Sequence, residues 1–317
     1  IFSDDRGNIF SINKMGKIIW KKNIYKKLYK KIYKNLSFSI SENKLYISDN
    51  IGFLYAVNLS DGKIIWVKNF GIPIKSNLKV LDDKIFLINQ DNRIFCVDIE
   101  TGSKIWDIRA ITSFIKSQQN LALAISKNND LVVLNSSGDL IKTKASSGRI
   151  YWSLNAIGTL AHDTDFFQSS EIVIDDNEIF FSDTSNFYSY DLSNGYLNWK
   201  VNIGSKNTPI IDRNNIFSVT DNGYFVNLDR ESGKTIWSTN ILKSLKKRKQ
   251  DTKITGFVLG SGKIYAVSLN GFLIVCSATS GKVEYIKKIG DTITASPIIN
   301  NGSLYILTEK SKIIGFN

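Results

Sequence analysis

Histidine is almost missing from this chain: His162 is the single copy in 317 residues. Tetrahedral zinc needs four nitrogen, sulfur or carboxylate ligands, and one histidine beside two scattered cysteines does not provide them. A catalytic triad needs a base placed beside a nucleophile, and no pattern in the sequence marks such a pair. The motif His162-Asp163-Thr164-Asp165 therefore reads as an acidic contact loop or plain turn chemistry. Cysteine is nearly as scarce. Cys96 and Cys276 each lie inside an apolar run (93–99 and 272–278), the setting of a buried free thiol rather than a disulfide framework. Three prolines exclude a collagen-like or proline-rich disordered chain. No apolar run approaches the roughly 18 residues of a membrane-spanning helix.

The chain opens at Ile1, in what reads below as the middle of a repeat. The expectation is that the N-terminus, with any signal peptide or lipid-attachment cysteine, lies upstream. Lys and Arg number 41 against 29 Asp and Glu, a net charge of +12. That balance favours anionic surfaces or acidic partners without defining a site.

What the chain has is a repeat. A glycine is followed four residues later by an aromatic seven times: Gly16/Trp20, Gly62/Trp66, Gly102/Trp106, Gly148/Trp152, Gly195/Trp199, Gly233/Trp237 and Gly281/Tyr285. All six tryptophans are used this way, and the glycines recur every 38 to 48 residues. That is the period of a four-stranded propeller blade. Around the second copy, 37–41, 44–48 and 53–57 are short β-rich runs separated by polar turns. Asp61-Gly62 then predicts a tight hairpin, since glycine accepts a positive φ, and 63–68 is the fourth strand. One tryptophan per repeat on the outer strand is spread around a ring. The reading is a structural wedge between blades, not a nucleic-acid stacking platform, which needs the rings exposed together.

Seven such fourth strands and one shortened copy at 295–316 predict an all-β, eight-bladed propeller of four-stranded antiparallel blades, one domain over 1–317. Blade 1 is expected to be truncated at its N-terminus and blade 8 to lack its outer strand, the closing strands lying outside this chain.

In such a meander the inter-blade linkers share one face. Four are long, after Trp20, Trp106, Trp152 and Trp237, and long loops on a rigid ring are where recognition is expected. The first, KKNIYKKLYKKIYKNL over 21–36, repeats apolar residues every four positions, the pattern of a basic amphipathic helix. The readings that stand are an anionic-surface or acidic-partner contact through Lys21, Lys22, Lys26, Lys27, Lys30 and Lys31, a solvated cover helix over the ring, or a loop in a lysine-rich chain. A second basic linker, 243–253, reads as simply polar.

The chain resembles the pyrroloquinoline-quinone-like propeller repeat family and, within it, the outer-membrane protein assembly lipoproteins of Gram-negative bacteria. The resemblance spans nearly the whole chain and is densest over 199–317, in IGSKNTPIID, DNGYFVNLDRESGKTIW, LKKRKQD and ASPIINNGSLYILTEKSKIIGFN. It implies a non-enzymatic, cofactor-free scaffold at the periplasmic face of the outer membrane. It implies a monomer held there by a lipid anchor outside this chain and docked on the POTRA domains of BamA, within the larger assembly complex. It implies no nucleic-acid partner. The family's Asp-x-Asp loop resembles Asp163-Thr164-Asp165; its Leu-x-Leu-Arg loop falls on Ser113-Phe114-Ile115-Lys116. There Ile115 and Lys116 match in character, while Ser113 departs, and Lys lacks the bidentate fork of Arg. Quinoprotein dehydrogenases share the repeat, but they carry a vicinal cysteine pair and calcium ligands, and this chain has no Cys-Cys. Trp106-Asp107 is a single Trp-Asp in the fourth strand, not the third-strand signature of a WD repeat.

Overall fold

The computed structural model describes residues 1–29, 31–109, 121–157, 167–245 and 252–316. These form two compact units, 1–168 and 169–317, each holding four antiparallel sheets in chain order. Sheet 1 comprises Phe2–Ser3, Asn8–Ile12 and Ile18–Asn23; sheet 2 comprises Leu36–Ser41, Lys44–Asp49, Phe53–Asn58 and Ile64–Asn69. Sheet 3 runs from Lys79–Leu81 to Lys104–Arg109 and sheet 4 from Ala122–Ile125 to Ile150–Asn155. In the second unit, sheets 5, 6 and 7 start at Val173–Asp175, Ile210–Asp212 and Ile254–Gly260 and finish at Leu197–Val201, Thr235–Asn240 and Val283–Lys288. Sheet 8 has three strands, Ile298–Asn300, Ser303–Leu307 and Ile313–Phe316. Eight sheets in sequential meander order make the fold an all-β, eight-bladed propeller.

In sheet 2 the middle strands are apolar on both faces because the sheet is covered on both sides. In sheet 2, Leu45, Ile47, Tyr55 and Val57 pack with Ile9 and Trp20 of sheet 1. Tyr46, Leu54 and Ala56, pointing the other way, pack with Ile85, Leu87 and Val97 of sheet 3. Period-2 alternation therefore divides one strand between two cores, and the run reads as continuously hydrophobic.

Each third-to-fourth hairpin turns at its glycine. In sheet 2, Gly62 has φ +71° and its N–H donates to the Asn58 carbonyl at 2.8 Å. Ala56 then pairs with Trp66 and Val57 with Ile64, leaving Ile65 as an extra residue. This bulge recurs in all seven sheets that have the fourth strand, and the six tryptophans that follow it are buried or half-buried.

The tryptophans join sheets. Trp20 Nε1 donates to Leu59 O at 2.9 Å, Trp66 to Ile99 O at 3.3 Å, Trp106 to Ala145 O at 3.1 Å and Trp199 to Arg230 O at 2.9 Å. Each acceptor belongs to the next repeat along, three residues before that repeat's own hairpin glycine. Tyr285 differs: it is 52% exposed, and sheet 8 has no described hairpin glycine to stand over it. Cys96 and Cys276 are buried and free.

The helix expected over 21–36 does not form. Lys21 and Lys22 belong to the last strand of sheet 1, where Lys21 lies 4.8 Å over the Phe10 ring. Beyond Asn23 the only regular element before Leu36 among the described residues is a single 3-10 turn, Lys27–Tyr29. The four-residue periodicity fails because its members part company. Ile24 is buried, whereas Leu28 is 80% exposed and Ile32 is 46% exposed. A short isolated helix has little stability of its own, and side-chain contacts to sheets 1 and 2 prevail.

Candidate functional site

The turns joining second to third strands, and the linkers between sheets, form the loop side of each unit. An Asp, Asn, Ser or Thr followed three residues later by Gly, Asn or Ser builds these turns. Asp49 Oδ1 accepts from the N–H groups of Ile51, Gly52 and Phe53 at 3.0, 2.8 and 2.8 Å. Asn135 Oδ1 accepts from Ser137 and Asp139, both at 2.9 Å. Asp183 Oδ1 accepts from Ser185 and Asn186, both at 2.6 Å. These side chains replace the backbone partners a turn lacks, so the loop side is rigid at its base. The spacing, as in Asp49-x-x-Gly52 and Thr220-x-x-Gly223, was available in the sequence as a second repeat signal.

Two of these aspartates also bind a tyrosine. Tyr25 Oη donates to Asp49 Oδ2 at 2.7 Å, and Tyr188 Oη donates to Asp183 Oδ2 at 2.7 Å. Burial first, and then the neighbouring carboxylate, hold both phenols well above their ordinary pKa. Neither tyrosine is a proton donor near neutral pH.

The 24–35 linker is fastened to this base. Lys34 N–H donates to Asp5 O at 2.8 Å, Asn35 N–H to Asn50 Oδ1 at 2.9 Å, and Asn50 Nδ2 to Tyr33 O at 3.1 Å. Lys34 is buried, with Nζ donating to the carbonyls of Tyr29 and Ile32 and lying 4.5 Å over the Tyr25 ring. Burial lowers the Lys34 pKa, opposed by the charges of Asp49 and Asp5. Lys26, Lys27 and Lys31 are exposed on this linker, and Lys30 lies outside the described residues.

In the second unit the loop side carries two open depressions that share Asn222. The first, of about 560 Å³, is lined by hydroxyls and amides including Thr184, Asn202, Thr220 and Tyr224. The second, of about 650 Å³, includes Asp221, Lys253 and Asn270. Among the described residues no three His, Cys, Asp or Glu side chains cluster as a metal site. Ile115, Lys116, Asp163 and Asp165 lie outside the described residues, as does His162.

The fold is similar to that of BamB from Moraxella catarrhalis, with a TM-score of 0.80 at 14% identity over 99% of this chain and 92% of that one. A europium-containing methanol dehydrogenase superposes with a TM-score of 0.72 at 13% identity, over 96% of this chain and 78% of the enzyme. In sequence, the outer membrane protein assembly factor BamB of Yersinia pestis is 20% identical over 312 residues, 95% of this chain and 77% of that protein. The family described as outer membrane protein assembly factor BamB matches residues 5–239. With well over half of its length matched and its eight sheets in the same meander, the chain belongs to the BamB family of outer membrane protein assembly factors.

Proposed function

We propose that this protein is a non-enzymatic scaffold of outer-membrane protein assembly, its eight sheets acting as one domain at the periplasmic face of the outer membrane. The observation that carries the proposal is the family match over 5–239. The Asx-turn base supports it: loops fixed by Asp49, Asn135 and Asp183 hold a recognition surface in place. In this reading BamA, through its POTRA domains, is gripped by the linkers after Trp106 and Trp152, with Ile115, Lys116, Asp163 and Asp165 as contacts. A lipid anchor outside this chain tethers the scaffold, which works as a monomer inside the complex. The double substitution Asp163→Arg/Asp165→Arg abolishes pull-down of BamA while leaving the thermal melting unchanged. Undiminished capture by the double variant sinks this site.

The likeness to a methanol dehydrogenase raises a quinone-binding alternative. The donor set does not fit that cofactor. The two cysteines belong to different strands, in sheets 3 and 7, and are not vicinal in sequence, and no carboxylate cluster suited to a calcium ion stands among the described residues. Titration with pyrroloquinoline quinone and calcium, followed by bound-cofactor absorbance, discriminates: a stoichiometric signal overturns the scaffold reading.

A further inference from the structure

The described parts of the linker, 24–29 and 31–35, form a strap held firmly at its roots, with Leu28, Ile32 and Tyr33 turned outward. Tyr25 is inserted beneath Gly7, where a Cβ would lie 2.4 Å from the ring, and Tyr25 and Tyr55 meet edge to face at 5.9 Å. Tyr29 packs edge to face on Phe53 at 5.3 Å. The far leg is clipped to Asp5 on sheet 1 and to Asn50 on sheet 2. Lys34 closes the tip from inside, its buried ammonium taking the carbonyls of Tyr29 and Ile32. Burying an ammonium is unfavourable unless such partners surround it, so Lys34 is committed to this one conformation.

What the strap presents is apolar. Leu28 is 80% exposed, Tyr33 67% and Ile32 46%. Exposed Lys26, Lys27 and Lys31 stand among them. No acidic residue occurs between Arg6 and Ser41, so the lysines have no carboxylate from their own stretch of chain. Three large apolar side chains held in water by a rigid mount mark a contact surface. The lysines between them set its chemistry. A uniformly acidic protein surface would meet the lysines and leave Leu28 and Ile32 in water. A lipid headgroup layer meets both demands, phosphates taking the ammonium groups and the acyl boundary taking the apolar tip, with an amphipathic tyrosine ring at the interface between.

We propose that the 24–35 strap is a membrane-contact loop. It inserts Leu28, Ile32 and Tyr33 into an anionic bilayer surface, with Lys26, Lys27 and Lys31 on the phosphates and Lys34 as the positioning residue. This stands independently of any contact with BamA.

The test is co-sedimentation of this 317-residue chain, purified without the lipid anchor proposed above, with vesicles of phosphatidylglycerol and phosphatidylcholine, against vesicles of phosphatidylcholine alone. The protein binds the anionic vesicles and not the neutral ones. Leu28→Ser/Tyr33→Ser weakens that binding about tenfold. Lys26→Gln/Lys27→Gln/Lys31→Gln weakens it about a hundredfold at low salt, roughly fivefold per lysine. Lys34→Met keeps every exposed lysine and still loses about tenfold, because the tip is no longer held out. If Lys34→Met fails to fold, the Leu28/Tyr33 pair, both exposed, decides alone. The proposal is overturned if the protein ignores anionic vesicles, or if Leu28→Ser/Tyr33→Ser binds them as tightly as the native chain. Displacement from vesicles by polyglutamate, with no dependence on Leu28 and Tyr33, assigns the strap to an acidic protein instead.

Discussion

Gly233 closes directly over the indole of Trp199: a Cβ on Gly233 would lie 2.6 Å from Cε3 of that ring. The two residues belong to neighbouring sheets, and the same indole donates from Nε1 to Arg230 O, three residues before the glycine, at 2.9 Å. Gly62 over Trp20, Gly102 over Trp66, Gly148 over Trp106 and Gly281 over Trp237 repeat the arrangement. These five hairpin glycines thus serve two purposes, adopting a left-handed φ and leaving room for the preceding sheet's tryptophan.

These two demands are separable by mutation. Gly16 has φ +78° but nothing within 4 Å of its missing Cβ. Gly16→Ala therefore costs only the left-handed strain, about 1–2 kcal/mol. Gly233→Ala, at φ +68°, adds the clash with Trp199 and costs about 1–3 kcal/mol more. Urea unfolding of both variants measures the difference; equal destabilisation refutes the double role.

Trp237 is the exception among the joining tryptophans, since among the described residues its buried Nε1 has no hydrogen-bond partner. Replacing it by Phe removes a donor that gains nothing from the fold. Trp199→Phe removes a made bond and leaves Arg230 O unpaired. Trp199→Phe is expected to be the more destabilising by about 1 kcal/mol. Thermal unfolding of the two variants decides the order, and the reverse order rules the account out.

Asp107 gives the fold an acid sensitivity. Its half-buried carboxylate accepts from Lys104 Nζ at 2.6 Å and also pairs with Arg93, and these partners, Lys104 first, hold it below the usual carboxylate range against the opposing effect of burial. A depressed folded-state pKa contributes stability that is fully present above the unfolded value of about 3.9 and is lost as the pH falls through the folded value. Asp107→Asn lowers stability at neutral pH by about 1 kcal/mol, a figure reduced by the exposure of both cations. The variant also shows a shallower loss of stability below about pH 4 than the native chain. Denaturant midpoints measured across that acid range test both; parallel curves exclude the pair as the cause.

Neither cysteine is a reactive thiol. Burial is the main cause that pushes both Cys96 and Cys276 up to about 12. Iodoacetamide at neutral pH is expected to leave both unlabelled in the folded protein and to modify both in urea. Rapid labelling of the native chain, read by mass spectrometry, contradicts the buried placement.

Much of the fold is legible in the order of residues. The strands of sheet 2, expected at 37–41, 44–48, 53–57 and 63–68, occupy Leu36–Ser41, Lys44–Asp49, Phe53–Asn58 and Ile64–Asn69. Period-2 patterning, Gly-marked hairpins and a fixed spacing are local properties, written along the chain. The stretch at 21–36 misled because helical periodicity is also local, whereas the burial of Tyr25 and Lys34 depends on Asp5, Gly7 and Asp49 in two other strand pairs. The turn aspartates are hard to read for a different reason: their spacing is present in the sequence, but only the hydrogen bonds to successive N–H groups reveal its purpose.

The sequence by itself determined the number of repeats, the strand order and the residues that turn each hairpin, since backbone conformation there follows from glycine and from alternation. Tertiary structure decided which surface each tryptophan covers, why alanine cannot replace the glycine above it, and that one lysine among many is buried to hold a strap outward. Those outcomes depend on contacts between residues 20 to 40 positions apart, such as Trp20 with Leu59 and Tyr25 with Asp49, which no local pattern records.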